Sequence, residues 1–194
     1  LLEIGCEELP ALVIGPALEQ LESVAREGLK AARIGFGSLR TMGTPRRLAL
    51  FAEGVSDHQE AELRLVTGPA VRVSFDASGN PTNAARGFAK SAGVAVEALE
   101  RVETPKGEYL LARVRDAGKP TREVLPGLLA AWIAALTFPK TMHWNSTGRF
   151  SRPVRWIVAL WGKEVLPVEA FGLKAGRQSR GHRVLSPAWF EISH

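Results

Sequence analysis

The 194 residues, 45% hydrophobic and 23% charged, leave room for one large domain or two small ones and exclude a chain that is disordered throughout. A single cysteine, Cys6, excludes an internal disulfide framework and fits a reducing, cytoplasmic setting, and neither a signal peptide nor an apolar run of membrane-spanning length is visible. The formal charge of +5 and the isoelectric point of about 9.8 invite a polyanionic partner.

Leu1–Gly5 reads as a short strand, ended by Glu7-Glu8 and Pro10. A helix is expected from Ala11, because Ile14, Leu18, Leu21, Ala25, Leu29 and Ala32 recur at helical spacing while Glu19, Glu22, Arg26 and Lys30 take the other side. Gly35-Phe36-Gly37 stops it. Leu39–Met42 and Arg46–Val55 are extended runs, and the break at Gly43-Thr44-Pro45 makes them a hairpin. Past Gly68-Pro69 the composition shifts: Val71–Phe75 is strand-like, Asp76–Asn80 carries turn chemistry, and Thr82 is placed to cap a short helix through Ala92. Residues 67–103 thus read as a small helical insertion that must lean on a neighbour. Tyr109–Val114 is the next strand.

Thr121 starts the most apolar helix, in which Val124, Leu125, Leu128, Leu129, Trp132, Ile133 and Leu136 form a wide face suited to burial on a sheet; Pro126 falls near its first turn. After Phe138-Pro139-Lys140 an irregular loop leads to strand Trp156–Trp161, a turn at Gly162-Lys163 and strand Leu166–Phe171. The expected class is α+β, a mostly antiparallel sheet packed by two amphipathic helices, with residues 1–66 and 104–178 as the main domain and 179–194 as the start of a following domain or a linker. The chain opens on Leu1 and stops as another strand is beginning, so a piece of a longer polypeptide is expected.

Catalytic chemistry finds little support. Glu7 and Glu8 are adjacent on an extended segment, where side chains point to opposite faces, and a solvated or helix-start role suits them as well. His182 sits between Arg180 and Arg183, placed either to donate to an anion or to serve a turn. His58, His143, His194 and Cys6 have no metal-ligand spacing, and no basic neighbour in sequence activates the Cys6 thiol. Nucleotide-binding glycine loops are missing, since Gly35-x-Gly37 follows a helix.

Recognition is better served. From Phe138 to Arg183 there are nine basic and two acidic side chains, net +7, against 16 and 18, net −2, in the remainder. Lys140, Arg149, Arg152 and Arg155 form one expected rim, with Arg177, Arg180, His182 and Arg183 nearby, and Arg46-Arg47 at the hairpin form a second patch. Trp144, Trp156 and Trp161 lie in the same stretch, either to stack unpaired bases or to fill the core, with Arg152 and Arg155 pairing Glu164 or Glu169 in the second case.

Six stretches together carry a resemblance. Leu2-Glu3-Ile4-Gly5-Cys6-Glu7-Glu8-Leu9-Pro10-Ala11, Gly43-Thr44-Pro45-Arg46-Arg47-Leu48-Ala49, Phe75-Asp76 through Ala89, Phe138-Pro139-Lys140-x-Met142-x-Trp144, Arg152-Pro153-x-Arg155 to Leu160, and Arg180-Gly181-His182-Arg183 occur in this order. They resemble the beginning of the bacterial glycyl-tRNA synthetase β subunit. The family usually has Thr at position 6, Ser at 141, Arg at 143, Thr at 179 and Phe at 184, where this chain has Cys6, Thr141, His143, Ser179 and Val184. Only the change at His143 removes a cation.

The resemblance implies an α2β2 class II synthetase in a cytoplasmic setting. Glycyl-adenylate is then formed with ATP and Mg at the separate α subunit, and the β subunit helps to bind tRNA(Gly). It also implies that this chain is an N-terminal piece without the later HD-type and anticodon-binding domains, with no cofactor of its own. The basic residues named above then meet tRNA or the α subunit. Two rivals stand beside this reading: a purely structural scaffold for the α subunit, and an independent hydrolase or ligase using Glu7, Glu8 or His182.

Overall fold

The computed structural model describes residues 1–76, 78–144 and 148–193. His194, Ala77 of the expected turn and residues 145–147 of the loop expected after Lys140 lie outside the described residues. In chain order the elements are β1 (Leu2–Cys6), α1 (Ala11–Ala31), β2 (Ser38–Thr44), β3 (Arg47–Glu53), β4 (Glu62–Ala70), α2 (Val71–Ser74), α3 (Asn83–Ala92), a 3-10 turn (Val96–Ala98), β5 (Glu100–Thr104), β6 (Gly107–Asp116) and α4 (Thr121–Ala135). There follow β7 (Met142–His143), β8 (Arg149–Phe150), β9 (Val154–Trp161), β10 (Glu164–Val165), β11 (Glu169–Ala170), β12 (Leu173–Lys174), β13 (Gln178–Arg180) and β14 (Trp189–Glu191). The α+β class holds, with every strand pairing antiparallel.

The chain divides into two units, Leu1–Gln59 with Lys119–His194, and Glu60–Gly118. In the first, a five-stranded sheet runs β10-β9-β1-β3-β2. Leu2, Ile4 and Cys6 of β1, Leu48 and Leu50 of β3, and Ile157 and Ala159 of β9 share one core with Leu21, Ala25 and Leu29 of α1 and Leu125, Leu129 and Ile133 of α4. The helical spacing of those apolar positions is what lays both helices onto the sheet. Thr121 anchors the start of α4, its hydroxyl donating to the Ser56 carbonyl at 2.6 Å and its amide to Asp57 at 2.7 Å.

The reverse face of the sheet is covered too, which explains why β9 is almost continuously apolar where a half-exposed antiparallel strand would alternate. Trp156, Val158 and Leu160 form a second small core there with Leu1 and Ile192. The cover is the segment around β13 and β14, whose Ser179 is fully buried. Residues 179–193 therefore belong to this unit and not to a linker, because Ser179 and Ile192 are held against the sheet. Gly5 is required beneath: a Cβ on it would lie 1.8 Å from the Trp156 ring.

In the second unit β4-β6-β5 form a three-stranded sheet. Ala85 and Ala89 of α3 are buried, as are Leu110 and Ala112 of β6, and Phe88 lies on Gly68. This unit spans Glu60–Gly118 and not 67–103, since β4 and β6 pair with each other from Glu62↔Asp116 to Ala70↔Tyr109. The expected strand Val71–Phe75 is the short helix α2 instead. Side-chain hydroxyls overrule the β-propensity of Val71 and Val73: Ser74 donates to the Ala70 carbonyl at 2.8 Å and Thr82 to Val73 at 2.8 Å. Thr82 occupies the cap position of α3 but its hydroxyl is used in this way, not as a cap.

Two smaller corrections concern the first unit. Of the strand expected over Leu166–Phe171 only Glu169–Ala170, β11, is paired; Leu166-Pro167-Val168 separates it from the preceding β10, and the proline there removes a ladder donor. Pro126 is the sixth residue of α4, in the second turn of a helix that begins at Thr121 as expected.

Candidate functional site

Three segments distant in sequence meet at one end of the sheet. Where β1 gives way to Glu7-Glu8-Leu9, the Leu9 amide donates to the Pro45 carbonyl at 2.6 Å and the Cys6 amide to Arg46 at 2.9 Å, fixing the β2–β3 turn beside it. Gly181–Val184 closes the third side. Glu8, Leu9, Arg46, Arg47, His182 and Arg183 line the resulting cleft, of about 580 Å3. Gly181 is required there because the Ser186 carbonyl crosses 2.1 Å from where its Cβ would stand.

The guanidiniums are held by carboxylates of β1 and its continuation. Arg155 donates through Nε to Glu7 Oε1 at 2.7 Å, Arg46 Nη2 is 4.0 Å from the other oxygen, and Arg183 Nη1 reaches Glu8 at 3.3 Å. The Arg155 hydrogen bond, supported by the charges of Arg155, Arg46 and Arg183, outweighs slight burial and holds the Glu7 carboxyl below its usual range.

Deeper in, Glu3 is 4% exposed. Its Oε1 accepts from Trp156 Nε1 at 2.7 Å and from the Ser179 hydroxyl at 2.5 Å, and its Oε2 lies 3.4 Å from Arg47 Nη1. Arg47 in turn donates through Nη2 to the Arg180 carbonyl. Glu3 thus ties the end of the cleft that bears Arg180-Gly181-His182-Arg183 to the centre of the sheet. The Nε groups of Arg46 and Arg47 are buried without a hydrogen-bond partner, so both side chains are held by their terminal nitrogens and by packing.

The expected rim is split. Arg46, Arg47, His182 and Arg183 come together in the cleft, while Arg155 and Arg177 line a groove on another side with Trp156 and Trp189. Arg152 donates to the Glu8 carbonyl at 3.2 Å and Arg180 to Pro187 at 3.0 Å, and Arg177 donates to the Lys163 carbonyl at 2.7 Å. Arg149 bonds the Thr141 hydroxyl at 3.2 Å and Lys140 is exposed; neither lines the cleft or the groove. Arg152 and Arg155 do not pair Glu164 or Glu169. Arg155 stands at the start of β9 and Glu164 pairs with Trp161 at its far end, roughly 20 Å away at the strand rise, while Glu169 pairs Lys174 at 3.3 Å.

His182 serves a turn, its Nδ1 accepting from the amides of Val184 at 3.2 Å and Leu185 at 3.1 Å. Among the described residues no hydrogen bond joins it to Glu7 or Glu8, so the geometry does not assemble the hydrolase alternative. Burial pushes the Cys6 thiol up to about 12, with Arg46 pulling weakly the other way, which keeps it neutral. No group of three or more His, Cys, Asp or Glu among the described residues is placed to hold a metal. No described helix is long and apolar enough to cross a membrane.

Of the tryptophans, Trp156 is 7% exposed and Trp144 packs edge-to-face on Phe171 at 5.5 Å; with Trp161, partly buried, they serve the core. Sequence reasoning missed two residues. Glu3 falls within the expected first strand with no role assigned to it, and Trp189, 49% exposed, lies outside the apolar runs. The signal for Glu3 was the Trp156–Trp161 run itself, which requires cover on both faces.

The cleft gathers Arg46, Arg47 and Arg183 around one carboxylate, Glu8, and comparison with known proteins supplies the class: the chain is similar to beta subunits of an aminoacyl-tRNA synthetase. The sequence model described as glycyl-tRNA synthetase beta subunit matches residues 1–194. A glycine–tRNA ligase beta subunit of Moorella thermoacetica is 48% identical over 191 residues, 98% of this chain and 28% of the relative. Those of Myxococcus xanthus and Syntrophus aciditrophicus are 47% and 46% identical over 99% and 100% of the chain, again 28% of the relative. The chain belongs to the glycyl-tRNA synthetase β subunit family. It spans a little over a quarter of the length of the curated relatives it matches.

Proposed function

We propose that this chain is a tRNA-recognition and subunit-assembly region of a heterotetrameric α2β2 glycyl-tRNA synthetase. It supports the glycylation of tRNA(Gly) carried out with ATP and Mg at the α subunit, in the cytoplasm. The relatives' names, which specify a β subunit of a glycine–tRNA ligase, support the enzyme and the existence of a partner subunit. The observation that carries the recognition role is the charge balance of the cleft lining: three guanidiniums (Arg46, Arg47, Arg183) stand against one carboxylate (Glu8), and three minus one leaves +2. The internal pairing orients the arginines while leaving excess positive charge for a phosphate backbone.

The test uses the assembled ligase. Arg183→Ala removes an exposed cation at the cleft mouth, and Arg183→Lys keeps the charge. The alanine variant should bind tRNA(Gly) more weakly with a salt slope shallower by about 1, the lysine variant should lie near the parent, and both should co-purify with the α subunit. Unchanged tRNA affinity and slope, with loss of the α subunit, would favour the scaffold reading.

A further inference from the structure

A second concave surface lies in the same unit and shares no lining residue with the cleft. The groove of about 300 Å3 is lined by Arg155, Trp156, Lys174, Arg177, Gln178 and Trp189 among others, and no Asp or Glu lines it. Its size is at the small end of ligand pockets, which run from ~300 to ~1,000 Å3. Trp189 forms one wall and is half exposed. Its ring is fixed edge-on against Trp156 at 5.5 Å, and the Arg180 guanidinium sits 5.6 Å from its centroid.

A half-exposed indole held rigidly in this way is a stacking surface whose ordering cost is already met by the fold. Around it, the cations differ in how far they are committed. Arg155 is paired with Glu7 and Lys174 with Glu169, both from outside the groove, whereas Arg177 donates to a neutral carbonyl of Lys163 and keeps its full charge. Gln178 adds an amide able to donate and accept.

We infer that the groove between Trp156 and Trp189 binds an unpaired nucleotide of RNA, the base against the Trp189 indole and the adjoining phosphate against Arg177 and Lys174. Aromatic faces stack any base, and guanidiniums beside them carry the backbone charge; duplex RNA offers no free base face and fits such a groove poorly. The inference rests on the RNA partner proposed above but not on the cleft.

The experiment uses the assembled ligase and, as probe, a short fluorescein-labelled oligoadenylate, with a blunt RNA duplex of equal length and polyglutamate as comparisons. The single strand should bind more tightly than either. Trp189→Ala should lower its affinity roughly tenfold or more without altering the salt slope, and Trp189→Phe should retain most of the binding. Arg177→Gln should make the slope shallower by about 0.7. Equal binding of duplex or polyglutamate, or parent-like affinity in Trp189→Ala, overturns the assignment. Should Trp189→Ala fail to fold, the unaltered protein decides: a photoactivatable oligonucleotide should crosslink within 173–189, and crosslinks only elsewhere overturn it. Arg183→Ala separates the two surfaces. If it weakens tRNA binding while Trp189→Ala leaves oligonucleotide binding intact, the groove fails and the cleft stands; the reverse pattern removes the cleft and keeps the groove.

Discussion

The two faces of β1 are built on opposite principles. Leu2, Ile4 and Cys6 look toward α1 and α4 and join the main apolar core. Glu3 and Gly5 look the other way, where a carboxylate is surrounded by an indole N–H, a hydroxyl and a guanidinium, and the one position that must carry no side chain lies under the Trp156 ring. The first face is non-directional and tolerates repacking. The second works only if each donor is in place, and it is the second that fixes the segment bearing Arg180 and Arg183. Stability and placement of the cleft are therefore separable properties of a single strand.

The largest test of that separation is Glu3→Ala. It leaves Trp156 Nε1, Ser179 and Arg47 without their shared acceptor, and removing one partner from a buried charged network costs about 3–5 kcal/mol. Denaturant unfolding should show this loss, and hydrogen exchange should quicken at residues 178–183. Leu21→Ala, on the helical side, should cost about 2–5 kcal/mol through the cavity it leaves, yet keep the folded-state exchange pattern of 178–183 unchanged. A matching increase in exchange in both variants would mean that the two faces are not separable.

The smallest effect concerns Glu7. Because its folded carboxyl titrates below the ordinary range, the pairing with Arg155 adds stability above the unfolded carboxylate pKa and loses it as pH falls through the folded value. The pair is more than a third exposed, so solvent screening keeps the effect within about 1 kcal/mol. Unfolding followed from neutral to acid pH should show a shallower decline in Arg155→Ala than in the parent. An identical acid limb would remove Glu7 from the account.

The helices were legible because their apolar positions repeat at 3.6 residues over long windows, as in Ile14 to Ala32 and Val124 to Leu136, and the α+β class followed from them. Arg46, Arg47 and Arg183 were legible as cations with a surface to serve, though not as neighbours. What could not be read was everything decided by distant segments. Glu3 is buried by residues more than 170 positions away, at Ser179. Arg155 finds Glu7 across β1–β9 pairing and not the acids nearest in sequence. The Glu60–Gly118 boundary depends on β4 meeting β6 over a long intervening stretch. Local hydroxyl chemistry at Ser74 and Thr82 misled in the other direction, making a helix where valines suggested a strand.

The meeting point of Glu7-Glu8, the β2–β3 turn and Gly181–Val184 is proposed as the place where tRNA contacts this unit. Hydrogen exchange of the assembled ligase with and without tRNA(Gly) tests it most directly. Slowed exchange at residues 44–47 and 181–185 on adding tRNA is the predicted result; unchanged exchange there, with protection only on adding the α subunit, would contradict it.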